Sequence, residues 1–323
     1  MKNNLLIVSL LLAAVCQTSR SQTITEWFGG VSDVNRFSIE FVQVGSPGNA
    51  ADTTGIPNPA GYVPYLYNIG KYEVSREVIT KVNEASGLNI TLADMSAYNS
   101  NGQNKPAAGL SWYEAALFVN YLNISQGYNA AYKFGGAPVS GNPYGFQLWN
   151  TADVGFQANN PFRNSLAKYV IPSADEWYKA AYGSPGGDWF DYSTGSNSLP
   201  DPVSNGTNPG SSVYGGQSGL ADISDAGGLS PYGTMAQGGN VWEWTETNND
   251  QSNDSIEEFR MRKGGGWHNP NDTLASTWFD SGVNPDREHD LIGLRVAMVP
   301  EPSALSLLAV GLGGLAILRR RRS

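Results

Sequence analysis

In the stretch Gly238-Gly239-Asn240-Val241-Trp242-Glu243-Trp244-Thr245-Glu246, two tryptophans two residues apart bracket a single carboxylate. In an extended chain Trp242 and Trp244 share one face, and Val241, Glu243 and Thr245 share the other. Two large apolar rings would then anchor the segment and hold Glu243 at a fixed place beside a Gly-Gly-Asn turn. A carboxylate so placed can offer oxygen to a hard cation or pair with a buried base. The same pattern also fits a plain buried strand after a turn.

Other residues able to do chemistry are sparse. There are two histidines and one cysteine. His268 follows Gly264 to Trp267, and His289 sits among Asp286, Arg287, Glu288 and Asp290. Neither belongs to an H-x-x-x-H or H-x-x-x-E helical pair, so each reads more readily as a solvated or hydrogen-bonded side chain than as a metal ligand. Asp272 and Asp280 are the carboxylates a hydrolase would use. No glycine-rich phosphate loop and no Ser-His-Asp set with supporting context is present.

The elements that must position these groups are short. Phe37 to Val44 alternates as a strand, and Ser75 to Glu84 has Val78, Ile79 and Val82 at helical spacing. Ser111-Trp112-Tyr113-Glu114 and Ser173-Ala174-Asp175-Glu176 are capping boxes, opening helices to about Ile124 and through Tyr182 to a stop at Gly183. Phe259 to Arg262 and Leu294 to Met298 read as strands, and Asn248 to Asp254 as a polar loop. Residues 183 to 240 are dominated by Gly, Ser, Asn, Asp and Pro, which requires a bound ion or the scaffold's aromatic residues to hold them. The direct fold assignment is α+β.

The chain has 323 residues, 40% hydrophobic and only 15% charged, with 38 Gly, 16 Tyr, 11 Phe and 9 Trp. One large loop-rich domain with an aromatic core accounts for this better than two. Met1-Lys2 and the apolar run Leu5 to Ala14 read as a secretory signal peptide over residues 1–21, cleaved near Ser19 to Gln22. Cys16 lies inside it. A lipoprotein cysteine is the alternative, but Val15 stands where a small residue is wanted. The mature chain therefore lacks disulfides, thiol catalysis and thiolate metal ligands. At the other end, Val299-Pro300-Glu301-Pro302-Ser303 precedes an apolar run, Ala304 to Leu318, and Arg319 to Arg322. That run spans about 22 Å as a helix, short of a ~30 Å hydrocarbon core. The arginines mark a cytoplasmic end. Without both ends, 20 − 6 basic and 29 − 1 acidic residues leave a charge of −14 over residues 22–299. So acidic a domain argues against nucleic acid or an anionic membrane surface as partner.

Six blocks together resemble the formylglycine-generating enzyme (sulfatase-modifying factor) family. They are Asn68 to Ser75, Gly109 to Ala116, Ile171 to Trp177, Gly238 to Trp244, Lys263 to Trp267 and Gly293 to Ala297, in the family's order. The resemblance implies a variant of the C-type-lectin-like fold over residues 22–299. In catalytic members two cysteines bind copper and a substrate cysteine is oxidised. Counted forward from Lys263-Gly264-Gly265, those positions are Asn269 and Leu274, which argues against copper and against the oxidase. The resemblance also implies calcium, held by the Gly239 and Val241 carbonyls and the Glu243 carboxylate. Ala236 stands where an amide or acid ligand is usual, and Asn240 either adds an oxygen or stabilises the turn. The alternative is that Glu243 pairs with Arg295 or a backbone amide. A second calcium site would fall between Asn205 and Asp225. The family's substrate cleft would be faced by Trp267, His268, Trp278 and Phe279, rings suited to glycan or peptide contact or, equally, to core packing.

Residues 300–323 resemble the PEP-CTERM sorting signal of bacteria, an ordinary tail anchor being the alternative. That resemblance implies export in a Gram-negative-type bacterium, transient anchoring through 304–318, recognition by exosortase and removal of the tail at the cell surface. The function expected is an exported binding or structural module. An enzyme of the same family, either an oxidase or another metal-dependent enzyme, is the alternative.

Overall fold

The computed structural model describes residues 22–300. The signal segment with Cys16, the apolar run 304–318 and Arg319 to Arg322 lie outside the described residues. Twelve strands and three α-helices follow in order: β1 (Thr23–Phe28), β2 (Phe37–Val44), β3 (Tyr67–Gly70), α1 (Arg76–Ser86), α2 (Trp112–Ser125), β4 (Lys133–Phe134), β5 (Phe146–Gln147), β6 (Tyr169–Val170), α3 (Ala174–Tyr182), β7 (Asp201–Pro202), β8 (Ser211–Ser212), β9 (Trp242–Asn248), β10 (Arg260–Lys263), β11 (Ile292–Gly293) and β12 (Ala297–Met298). An antiparallel sheet runs β1-β2-β3-β12-β6, and a second sheet runs β10-β9-β11 with β11 parallel to β9. The α+β expectation holds.

Local sequence sets the helices. Ser111 and Ser173 accept from the backbone N–H three residues on, while Glu114 and Glu176 reach back to the cap N–H, closing both boxes. Ser75 caps α1 alone. Helix α2 carries Trp112, Tyr113, Phe118, Val119 and Leu122 wholly buried, so it is a core helix and not an amphipathic surface one. The Trp112 indole donates to Thr245 O at 2.9 Å and the Trp244 indole to Leu110 O at 3.0 Å, which clamps its start to β9.

The 183–240 stretch forms only the short parallel pair β7–β8 and isolated bridges. Among the described residues it is held by turns and by an apolar cluster of Val213, Leu220, Ala221, Ala226, Met235 and Ala236 packed on Val241 and Trp267. Hydrophobic burial, more than the rings alone, supplies the hold that regular pairing lacks.

Candidate functional site

Strand β9 is buried on both faces. The face carrying Glu243 is covered by α3, and the Glu243 side chain is 0% exposed. A carboxylate taken out of water must be fully hydrogen-bonded, and the partners are all here. The Arg295 guanidinium donates through Nη2 to Glu243 Oε1 at 2.7 Å and through Nε to Oε2 at 3.0 Å. The Trp177 indole donates to Oε2 at 2.7 Å. Arg295 also donates to the carbonyls of Gly70 and Met235, each at 2.7 Å.

The turn leading in is equally occupied. Gly239 and Asn240 take positive φ values of 112° and 60°. A Cβ on Gly239 would stand 2.4 Å from Val213 O, so only glycine fits. The Asn240 side chain accepts from Ala221 N at 2.9 Å and donates to Glu73 Oε2 at 2.7 Å. Its backbone carbonyl accepts from Trp267 N at 2.8 Å. Glu73 also takes Val241 N at 3.2 Å, and burial, then the Glu243 carboxylate, push its carboxyl well above the usual range.

Of the residues that would hold calcium, Gly239, Asn240, Val241 and Glu243, two have their side-chain oxygens engaged within the protein. Calcium takes six to eight oxygens. The Glu243 oxygens, with the carbonyls of Gly70 and Met235, surround the Arg295 guanidinium, and the Asn240 oxygen accepts from the Ala221 amide. In the second region implied for calcium, Asp222 pairs with Lys105 at 2.9 Å.

The stretch after Lys263-Gly264-Gly265 turns back on itself. Asn269 Oδ1 accepts from Trp242 Nε1 at 2.8 Å and from Gly266 N at 3.0 Å. Leu274 is 1% exposed. One position is thus a structural amide and the other a core side chain. Beside this turn opens a cavity of about 480 Å³ lined by Leu199, Tyr214, Gly215, Gly216 and His268 to Asn271.

Of the four residues expected to face a cleft, His268 alone lines this cavity. Trp267 is buried, its ring 4.9 Å from Tyr98 and 5.2 Å from His268 between centroids, so it backs the cavity wall from within the core. Trp278 packs partly buried on the main core, and Phe279 is exposed. Neither lines the cavity. The lining missed by sequence reasoning is Leu199, Tyr214, Gly215 and Gly216, contributed by the irregular 183–240 segment, where no periodicity could reveal them. Of the carboxylates a hydrolase would use, Asp280 is paired with Arg262 at 3.1 Å and Asp272 is exposed on a short 3-10 turn.

A second buried network also lay beyond reach of the sequence. Arg163 forks onto Glu176, Nη1 to Oε1 at 3.0 Å and Nη2 to Oε2 at 2.9 Å, and its Nε donates to Glu246 at 2.8 Å. Burial alone would raise the Glu176 carboxyl, but Arg163 holds it below its ordinary value. The capping-box glutamate therefore also closes an ion network. It stands apart from the open cavity beside His268.

The sulfatase-modifying factor enzyme 1-like domain matches residues 42–299. The chain belongs to this family. The PEP-CTERM protein-sorting motif matches residues 299–322, so this family member is exported with a C-terminal sorting tail of the kind exosortase recognises. Among the described residues no helix is long and apolar enough to cross a membrane. Comparison with curated protein sequences finds no match.

Among solved structures, the chain is similar to Treponema denticola variable protein 1, with 21% identity over 86% of this chain and 99% of that one, and a TM-score of 0.53. It is similar to CarF with 17% identity over 81% and 99%, TM-score 0.56, and to PvdO from Pseudomonas aeruginosa with 17% identity over 81% and 95%, TM-score 0.50. These likenesses establish the C-type-lectin-like variant fold of the sulfatase-modifying factor family.

Proposed function

We propose that this sulfatase-modifying factor domain is a non-catalytic binding module carried outside the cell. The observation that supports it is the absence of cysteine from residues 22–299; the copper-ligand positions that the resemblance implies fall near Asn269, locked by Trp242 and Gly266, and Leu274, enclosed in the core. Amide oxygen and a leucine cannot supply the thiolates that select Cu(I). What remains is an open cavity with an imidazole, an amide and exposed glycine backbone, walled by Tyr214, whose hydroxyl donates to Pro200 O. Such groups suit neutral contact with an extracellular glycan or peptide. The sorting tail fits display at the cell surface, with anchoring through 304–318 until exosortase removes it.

The test is turnover of a cysteine-containing sulfatase peptide by the full-length protein supplied with copper and oxygen. Unaltered peptide is the expected result, and formylglycine in the product overturns the reading. A glycan and peptide array then tests capture directly. His268→Ala with Asn271→Ala, both exposed at the cavity, should abolish any signal while the melting curve stays in place.

A further inference from the structure

A further cavity lies between the β1–β2 hairpin and α1. It has a volume of about 380 Å³, within the roughly 300–1,000 Å³ of small-molecule sites. Trp27, Arg36, Ser38 and Glu40 form one wall, Val78 and Lys81 of α1 the other, and Glu73 and Val296 lie at its base. The first wall precedes residue 42, where the sulfatase-modifying factor match begins, and the other wall and the base lie within the matched range. The cavity therefore forms where residues outside the match pack on the family domain.

Its charges are unequally matched. Lys81 is paired with Glu77 at 2.6 Å, and Glu40 meets Lys71 at 3.5 Å. Glu73 is buried and takes its hydrogen bonds from Asn240 and Val241. Arg36 differs. Its guanidinium lies over the Trp27 ring, 4.0 Å from the centroid, its Nε is buried without a hydrogen-bond partner, and among the described residues no carboxylate pairs with it. Stacking on an indole fixes the plane of the guanidinium and, with Nε buried, leaves the edge formed by its two terminal nitrogens for a ligand. A fork held this way matches a carboxylate bidentately. The rest of the lining alternates hydroxyl and amide groups (Ser38, Asn104, Ser224) with apolar ones (Val78, Ile223, Val296). A ring with hydroxyls on its rim and C–H groups on its faces uses both.

We propose that this cavity binds an acidic saccharide, a pyranose bearing one carboxylate, with Arg36 clamping the carboxylate and Trp27 holding Arg36 in place. A single free cation suits a monoanion; a phosphate dianion would call for more donors than the cavity offers. The site is separate from the cavity beside His268, so its failure leaves the function proposed above untouched.

The experiment titrates full-length protein with D-glucuronate, D-glucose and inorganic phosphate by calorimetry. Saturable binding of glucuronate at millimolar concentration, without binding of glucose or phosphate, is expected. Arg36→Gln should weaken it about tenfold or more, the worth of a charged hydrogen bond, with an unchanged melting curve. Arg36→Lys keeps the charge, loses the fork and should weaken it less; it also replaces the glutamine variant should that one fail to fold. Absence of saturable glucuronate binding overturns the proposal. So does equal binding by a folded Arg36 variant, or phosphate binding as tight as glucuronate.

Discussion

Replacing Arg295 with alanine is the sharpest probe of how this fold treats the position where calcium would sit. Arg295 is 0% exposed and makes four hydrogen bonds, two to Glu243 and one each to Gly70 O and Met235 O. Its removal leaves Glu243 with one donor, the Trp177 indole, in a site walled off from water. Breaking a buried ion pair from one side costs about 3–5 kcal/mol, a large part of a domain stability of roughly 5–15 kcal/mol. The urea midpoint of Arg295→Ala should fall accordingly. Pairing Arg295→Met with Glu243→Gln should recover much of the loss, because no uncompensated charge then remains buried. The alanine variant also frees three oxygens, Glu243 Oε1 and the two carbonyls, and leaves Oε2 with the Trp177 indole alone. Calcium should raise the melting midpoint of Arg295→Ala while leaving the wild type unmoved. A wild-type midpoint raised by calcium or lowered by a chelator would refute the reasoning, since the ion would then share the site with the guanidinium.

Two further perturbations read out neighbouring parts of the same core. Asn240→Ala should cost about 2–4 kcal/mol, because it orphans Ala221 N and one Glu73 oxygen and puts alanine at φ 60°, a conformation asparagine adopts more readily. Asn240→Gly should recover about 1 kcal/mol of that in a thermal melt, and equal losses would show that backbone strain plays no part. Lys263 is buried, and burial pulls its ammonium down to about 8 from 10.5. Between those values the unfolded chain binds the proton and the folded chain does not, so stability should rise as pH goes from 8 towards 10. The full gain is on the order of 3 kcal/mol. Lys263→Met should flatten that rise in urea titrations, and an unchanged slope would assign it to other groups.

Much of the scaffold was legible because its signals are local. The two capping boxes, the Ser75 cap and the β2 alternation depend on residues within one turn or one strand, and each appears in the structure. Strand boundaries near the C-terminus moved. Residues 294 to 298 read as one strand, whereas only Ala297–Met298 (β12) pairs there and Ile292–Gly293 (β11), just before it, pairs in a different sheet. Both stretches are buried, and periodicity cannot separate short buried segments.

By itself the sequence determined the family scaffold, the sorting tail and the absence of cysteine from residues 22–299, which are matters of residue identity and order. It also named both candidate partners of Glu243, an ion and Arg295, without choosing between them. Only the tertiary structure shows Arg295 in place on Glu243. Arg295 lies 52 positions along the chain, and what brings it to Glu243 is the parallel docking of β11 on β9 and the cover of α3. The same holds for the cleft. Trp267 and His268 are adjacent in sequence, yet packing of the 213–241 segment buries one ring and leaves the other at the cavity wall. Alternation along a strand tells which residues share a face. Which faces meet water is set by the elements that cover them.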